Sequence, residues 1–182
     1  MSSGLIFLIL LVVIGIVVAG LYNRLVGLRN GAEEALKSID VFLKQRYDLI
    51  PNLVSTIKGY TQYESGTLEK IVQLRSQAMS AGGADGGAAE NALSGALKSV
   101  FALAENYPDL KANQEFLQLQ QTLSGLEESI QRARRYYNAS VRDLNNAVEM
   151  FPANLFAGML GFRRMDYLQV DEAETQNVKV QF

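Results

Sequence analysis

The sequence predicts an all-α protein: an N-terminal transmembrane helix continuous with an antiparallel bundle of about four long helices, followed by a short irregular C-terminal tail. Three observations carry this prediction. Residues 5–21, LIFLILLVVIGIVVAGL, are almost wholly aliphatic, and no charged side chain occurs before Arg24. At about 1.5 Å per residue, a helix of that run nearly matches a hydrocarbon core of roughly 30 Å. Directly afterwards apolar residues recur in steps of three and four, at Leu25, Leu28, Ala32, Ala35, Ile39 and Phe42. That is a heptad seam, which needs a helical partner to cover it. Finally, Pro51, Pro108 and Pro152 read as punctuation between helices, and Val, Ile and Thr form no alternating run until the last few residues.

The chain divides into an anchor at 1–21, a cytoplasmic helical bundle at 22–151 and an apolar, extended tail at 152–182. Val17 and Ala19 make a passable cleavage site, so a removed signal is the alternative to a retained anchor. The lack of Lys or Arg ahead of the apolar core, and the seam continuing past it, favour retention. Arg24, Arg29, Lys37, Lys44 and Arg46 all follow the span. The positive-inside tendency therefore places the bundle in the cytoplasm and the short N-terminus outside. Gly15 and Ala19, four apart, offer a small-xxx-small contact between neighbouring spans.

The first bundle helix is predicted at 22–45, with Glu33/Lys37 and Asp40/Lys44 as outer i,i+4 pairs. It ends at RYDLIPNL, 46–53, where Asp48 as N-cap and Pro51 in a first turn predict a tight turn, with a kinked continuous helix as the alternative. A second helix to residue 79 presents Leu53, Ile57, Tyr60, Leu68, Ile71, Leu74 and Ala78, with Glu64 interrupting the stripe. SAGGADGGAAE at 80–90 holds four glycines within six residues and stops it. Without a preceding strand or a following Lys-Ser/Thr, this run is a connector and not a phosphate loop. A third helix at 89–105 faces Leu93, Leu97 and Val100 inward, and ENYPDLKAN at 105–113 punctuates. The longest helix, 113–150, carries a seam of Phe116, Leu119, Leu123, Leu126, Ile130, Ala133, Tyr137, Leu144, Ala147 and Phe151, with Ser140 its polar place and Glu128/Arg132 outside. Apolar seams joined by short connectors make an antiparallel bundle.

Composition narrows the chemistry. The formal net charge of −2 argues against a nucleic-acid binder. Cysteine and histidine are both absent, which removes disulfides, thiolate metal sites and the commonest general base. Carboxylates are numerous, but di-metal bundles use Glu-x-x-His pairs, which cannot occur here. No catalytic residue, cofactor or metal is assigned, and the expectation is a protein that is not an enzyme.

Two groups of residues stand out as candidates. The first is the predicted hinge, Arg46, Tyr47, Asp48, Pro51 and Asn52, together with Glu64. Stepping along the seam lands on Arg46, so this group reads as a polar network that fixes helix register, or as a partner-binding end. The second is a membrane or subunit contact: Gly15 and Ala19 in the anchor, and Phe151, Leu155, Phe156, Met159, Leu160, Phe162, Arg163 and Arg164 in the tail. If the last helix returns toward the membrane, that tail reaches the bilayer surface or a neighbouring subunit. Arg132, Arg134, Arg135, Tyr136, Tyr137 and Asn138 wind round more than one helical turn, and read as a solvated, partly salt-bridged face with Tyr137 in the core.

Several motifs occur together: RYDLIPNLVSTIKGY at 46–60, YNRLVGLRN at 22–30, ENYPDLKAN at 105–113, RARRYYNASVRDLNNAV at 132–148 and FPANLFAGMLGF at 151–162. In these the chain closely resembles the LemA family of bacterial membrane-anchored helical proteins. The resemblance implies an N-terminal membrane helix in the bacterial cytoplasmic membrane and a long-helix cytoplasmic bundle. It implies no settled activity and lends no catalytic residues. The expectation is a single-pass, self-assembling scaffold at the membrane, in membrane organisation or envelope stress. Its partners are the lipid bilayer, further copies of itself and another membrane or cytoplasmic protein. The alternative is an adaptor that recruits a protease or signalling partner through residues 46–52.

Overall fold

The computed structural model describes residues 3–60, 65–82 and 86–168. Among these the chain is all-helical: α1 Ser3–Lys58, α2 Ser65–Ser80, α3 Gly87–Ala104, a single-turn α4 Pro108–Lys111, α5 Gln114–Glu149, and a 3-10 turn at Ala153–Leu155. The aliphatic run opens α1, is long and apolar enough to cross a membrane, and has none of its residues buried within the chain. It passes without interruption into the heptad seam.

The chain packs as two units. One joins the residues up to Ala35 with Arg135–Tyr167, and the other is built on Leu36–Arg134. In the second unit α1 and α5 run antiparallel, since Arg46 meets Glu127 while Tyr60 accepts a hydrogen bond at 2.9 Å from Asn113. Asn113 also caps α5, its side-chain oxygen accepting from the Phe116 N–H at 2.9 Å. Phe101 and Phe116 meet edge to face, with ring centroids 6.3 Å apart. In the first unit the core is Leu25, Leu144, Ala147, Ala157 and Phe162.

The expected tight turn at Pro51 does not form. Helix α1 continues through Pro51 to Lys58, so the alternative of a continuous helix holds, and Asp48 is an exposed mid-helix residue with no capping role. A proline inside a helix removes the hydrogen bond to the carbonyl four residues earlier. Here that carbonyl belongs to Tyr47, and the Arg75 Nε of α2 donates to it at 2.7 Å. The chain leaves α1 instead at Gly59 and Tyr60, where the Tyr60 N–H bonds to the Ile57 carbonyl at 2.9 Å.

Seam positions shift as well. In α1 the buried face passes through Leu25, Ala32, Ala35, Ile39, Leu43, Arg46, Ile50, Leu53 and Ile57, while Leu28 and Phe42 are only half-buried. In α5 it passes through Phe116, Leu119, Leu123, Ile130, Arg134, Tyr137, Val141 and Leu144. Leu126, Ala133 and Ser140 stand one place aside, half-buried, and Phe151 is outside altogether. The 3–4 alternation is unbroken only if Glu127 and Arg134 hold core positions. Tyr60, expected to face inward, is exposed.

Candidate functional site

Four charged residues lie at seam positions of three helices in the second unit. Arg46 comes from α1, Glu90 from the first turn of α3, and Glu127 and Arg134 from α5. Arg46 and Glu90 are each 1% exposed. The Arg46 guanidinium binds both carboxylates: Nη2 donates to Glu90 Oε2, and Nη1 donates to Glu127 Oε2 at 2.5 Å and to Ser94 Oγ at 2.8 Å. Tyr47 donates its phenol to the other Glu90 oxygen, and Ser94 donates to Glu127 at 3.1 Å. Both oxygens of Glu90 are thereby satisfied by two donors on consecutive residues of α1.

Burial pushes the Arg46 guanidinium below its ordinary value, an effect opposed by the Glu127 carboxylate. Burial likewise pushes the Tyr47 phenol up, against the pull of Arg46. Two guanidiniums and two carboxylates balance in charge, which is the condition for holding them out of water. Satisfaction is incomplete on the cationic side: Arg46 Nε, Arg134 Nε and Arg134 Nη2 are buried with no hydrogen-bond partner.

This arrangement clamps helices. An arginine that reaches two acids on two other helices fixes the rotation and height of all three, since a one-turn slip strands a buried charge. Among the described residues, no group of three or more Asp or Glu comes together to hold a metal ion.

The hinge candidates therefore separate. Arg46 and Tyr47 are inside the cluster, whereas Asp48, Pro51 and Asn52 are on the surface. Glu64 lies outside the described residues. Glu90, Ser94, Glu127 and Arg75 join the site from the structure, as does Arg134, which the sequence places on a solvated face. The same seam arithmetic that reaches Arg46 reaches Glu90 by stepping back three from Leu93, and Glu127 by stepping on four from Leu123. The arginine-tyrosine run divides too. Arg134 and Tyr137 are buried, Arg132 pairs outside with Glu128 at 3.4 Å, and Tyr136 is exposed.

In the first unit the tail is packed down. Asn145, buried in α5, donates from Nδ2 to the Met165 carbonyl and accepts from the Met165 N–H, both at 2.9 Å. Tyr137 donates to the Asp166 carbonyl at 3.1 Å. Gly161 takes φ of +81°, a conformation that costs glycine little, and the Phe162 N–H then folds back onto the Ala157 carbonyl at 2.9 Å. Phe162 is buried and meets Tyr22 edge to face, with centroids 5.7 Å apart. Leu160 packs partly against the same core, while Phe151, Leu155 and Met159 point outward. Phe156 is half-buried. Arg164 pairs with Glu149 at 2.8 Å, and Arg163 is exposed.

Comparison with known proteins agrees with the motifs. The sequence profile of the LemA family matches residues 35–182. The chain belongs to the LemA family. It is 28% identical over 179 residues to Protein LemA of Metamycoplasma hominis, covering 96% of this chain and 80% of that one. It is also 23% identical over 173 residues to Magnetosome protein MamQ of Magnetospirillum gryphiswaldense. Magnetosome protein MamQ 2 of Paramagnetospirillum magneticum is 22% identical over 180 residues. The match spans 64% of the length of each of these two MamQ chains. With its unburied apolar helix, this LemA-family chain is a membrane-associated protein.

Proposed function

We propose that this LemA-family chain is a non-enzymatic scaffold that is anchored by a single span in the bacterial cytoplasmic membrane and assembles there with copies of itself. The observation that carries the reading is the continuity of α1. One helix, Ser3–Lys58, contains both the uncovered apolar span and the Arg46 end of the charge-clamped seam. Helices held in register by buried ion pairs suit a structural element better than a catalytic one. Gly15 has nothing within 4 Å of its would-be Cβ, so a neighbouring span can approach it closely, with Ala19 one turn on. Cations following the span support a cytoplasmic bundle and an external N-terminus. Relatives whose name ties them to the magnetosome support a role in cellular structure.

The test is the mass of the full-length protein in mild detergent, beside crosslinking in native membranes. A uniform assembly larger than a dimer, reduced by Gly15→Leu with Ala19→Leu, is the expected result. A monomer by both methods would overturn self-assembly.

A second reading, an adaptor for a soluble partner, rests on a different observation. A cavity of about 290 Å³ opens beside Pro51, walled by Ile50, Val54, Lys58, Val72 and Arg75, with Asp48 and Asn52 exposed nearby. An adaptor remains a monomer or dimer alone and loses its crosslinked partner when Val54 and Val72 are made polar.

A further inference from the structure

Within the first unit, four strongly exposed apolar side chains outside the anchor lie on one short segment. Met150 is 65% exposed, Phe151 79%, Leu155 60% and Met159 86%. A soluble surface seldom concentrates such residues on a short segment without a covering partner. The segment is tied down beyond its far end, by the Asn145 bonds to Met165 and by the burial of Phe162, so its exposure does not come from a loose end.

Its position identifies the cover. Phe162 packs on Tyr22, the residue that follows the aliphatic run, and the core around Leu25 contains Ala147. Leu25 is four residues past Leu21, about 6 Å along the helix. The headgroup layer on each side of a bilayer is of similar depth, roughly 5–8 Å. Arg29 and Glu33 line one depression with Leu144, farther along α1, so α5 runs back toward the anchor and delivers Met150 and Phe151 at its foot. Arg29, Arg163 and Arg164 share that depression of about 240 Å³, where Arg29 pairs with Glu33 and Arg164 with Glu149, each at 2.8 Å, and Arg163 and Arg24 are exposed. Apolar side chains at the end of a membrane span, bordered by guanidiniums, are the composition of an interfacial contact.

We propose that residues 150–163 form a second membrane contact: Phe151, Leu155 and Met159 enter the bilayer interface beside the anchor, while Arg163 and the arginine-lined depression meet anionic lipid headgroups. The inference rests on the anchor being retained in the membrane and is independent of self-assembly. It gives the first unit two attachment points, a spanning helix and an interfacial foot.

The chain contains no tryptophan, so a single introduced indole reports alone. Full-length Met159→Trp and Phe151→Trp are reconstituted at one copy per vesicle in phosphatidylcholine with phosphatidylglycerol, with Val41→Trp on the exposed face of the other unit as the aqueous control. Lipids brominated on the acyl chain are expected to quench Met159→Trp and Phe151→Trp at least three-fold more than Val41→Trp. Adding Arg163→Gln, or omitting phosphatidylglycerol, is expected to reduce that quenching. Emission and quenching equal to the Val41→Trp control would overturn the proposal. Protection from aqueous acrylamide without quenching by lipid, appearing only at several copies per vesicle, would also overturn it and assign the patch to a second copy. Because one copy per vesicle excludes assembly, failure of the scaffold reading leaves this result unaffected.

Discussion

The two units of the chain are built on opposite plans. The unit on Leu36–Arg134 hides charge, with Arg46 and Glu90 fully buried and Glu127 and Arg134 beside them. The unit containing the anchor buries an amide, Asn145, but no charged side chain among its described residues, and it exposes the apolar Phe151, Leu155 and Met159. Buried charge is costly and is kept where it sets register, because displaced helices would leave it unpaired. Exposed apolar surface is costly in water and costs little against lipid. The inversion thus separates a unit whose buried charges set helix register from a unit that, on the proposal above, turns its apolar side chains toward lipid.

The largest expected effect breaks the first half of that contrast. Arg46→Met leaves Glu90 buried without its cation and is expected to destabilise the full-length protein by about 3–5 kcal/mol, read by denaturant unfolding in mild detergent. Adding Glu90→Met should restore part of that loss, since the fully buried carboxylate is then gone while Glu127, left without Arg46, is partly exposed to water. Full additivity of the two changes would show that the cluster is not a coupled unit.

A smaller effect separates the buried polar groups of the two units. Asn145→Ala removes two hydrogen bonds to Met165 and should cost about 2 kcal/mol, at roughly 1 kcal/mol each. Its distinctive sign is local: trypsin should cut faster after Arg163 and Arg164, whereas Arg46→Met should leave those sites no more exposed than the rest of the chain.

Next is the compensation at Pro51. Arg75→Leu leaves the Tyr47 carbonyl without a donor, at a cost of about 1–2 kcal/mol. In a Pro51→Ala background the restored N–H serves that carbonyl, and the cost of Arg75→Leu should fall toward zero. An equal cost in both backgrounds would mean that Arg75 acts through some other contact.

The smallest effect lies at the outward patch. Leu155→Ser should change unfolding stability by less than about 0.5 kcal/mol, as surface substitutions do. The same change should weaken protection of the patch in vesicles. A large loss of stability would show that Leu155 belongs to the core.

Much of this was legible because heptad periodicity is a strong signal: the apolar run, the all-helical class, the long last helix and most of the buried Leu and Ile positions follow from it. Three things were not. Apolar periodicity points to Leu126 and Ala133 in place of Glu127 and Arg134, because a charge fits a core only with a partner, and the partner of Glu127 is Arg46, 81 residues away. The continuous helix through Pro51 depends on Arg75, which sits 28 residues from the carbonyl it serves. Packing of the tail depends on an amide, Asn145, which looks like any polar residue of a long helix. In each case local pattern named the element, and a long-range polar contact chose between two local possibilities.

The claim that the two units face different surroundings is tested most directly by thiol labelling, because the chain has no cysteine of its own. Phe151→Cys, Met159→Cys and Val41→Cys are each placed in the full-length protein, reconstituted, and exposed to a water-soluble maleimide in vesicles opened so that both faces are reached. All three positions are more than half exposed in the chain itself. The account predicts rapid labelling at Val41→Cys and labelling at least ten-fold slower at Phe151→Cys and Met159→Cys, with the difference vanishing after denaturation. Equal, rapid labelling at all three positions would contradict it.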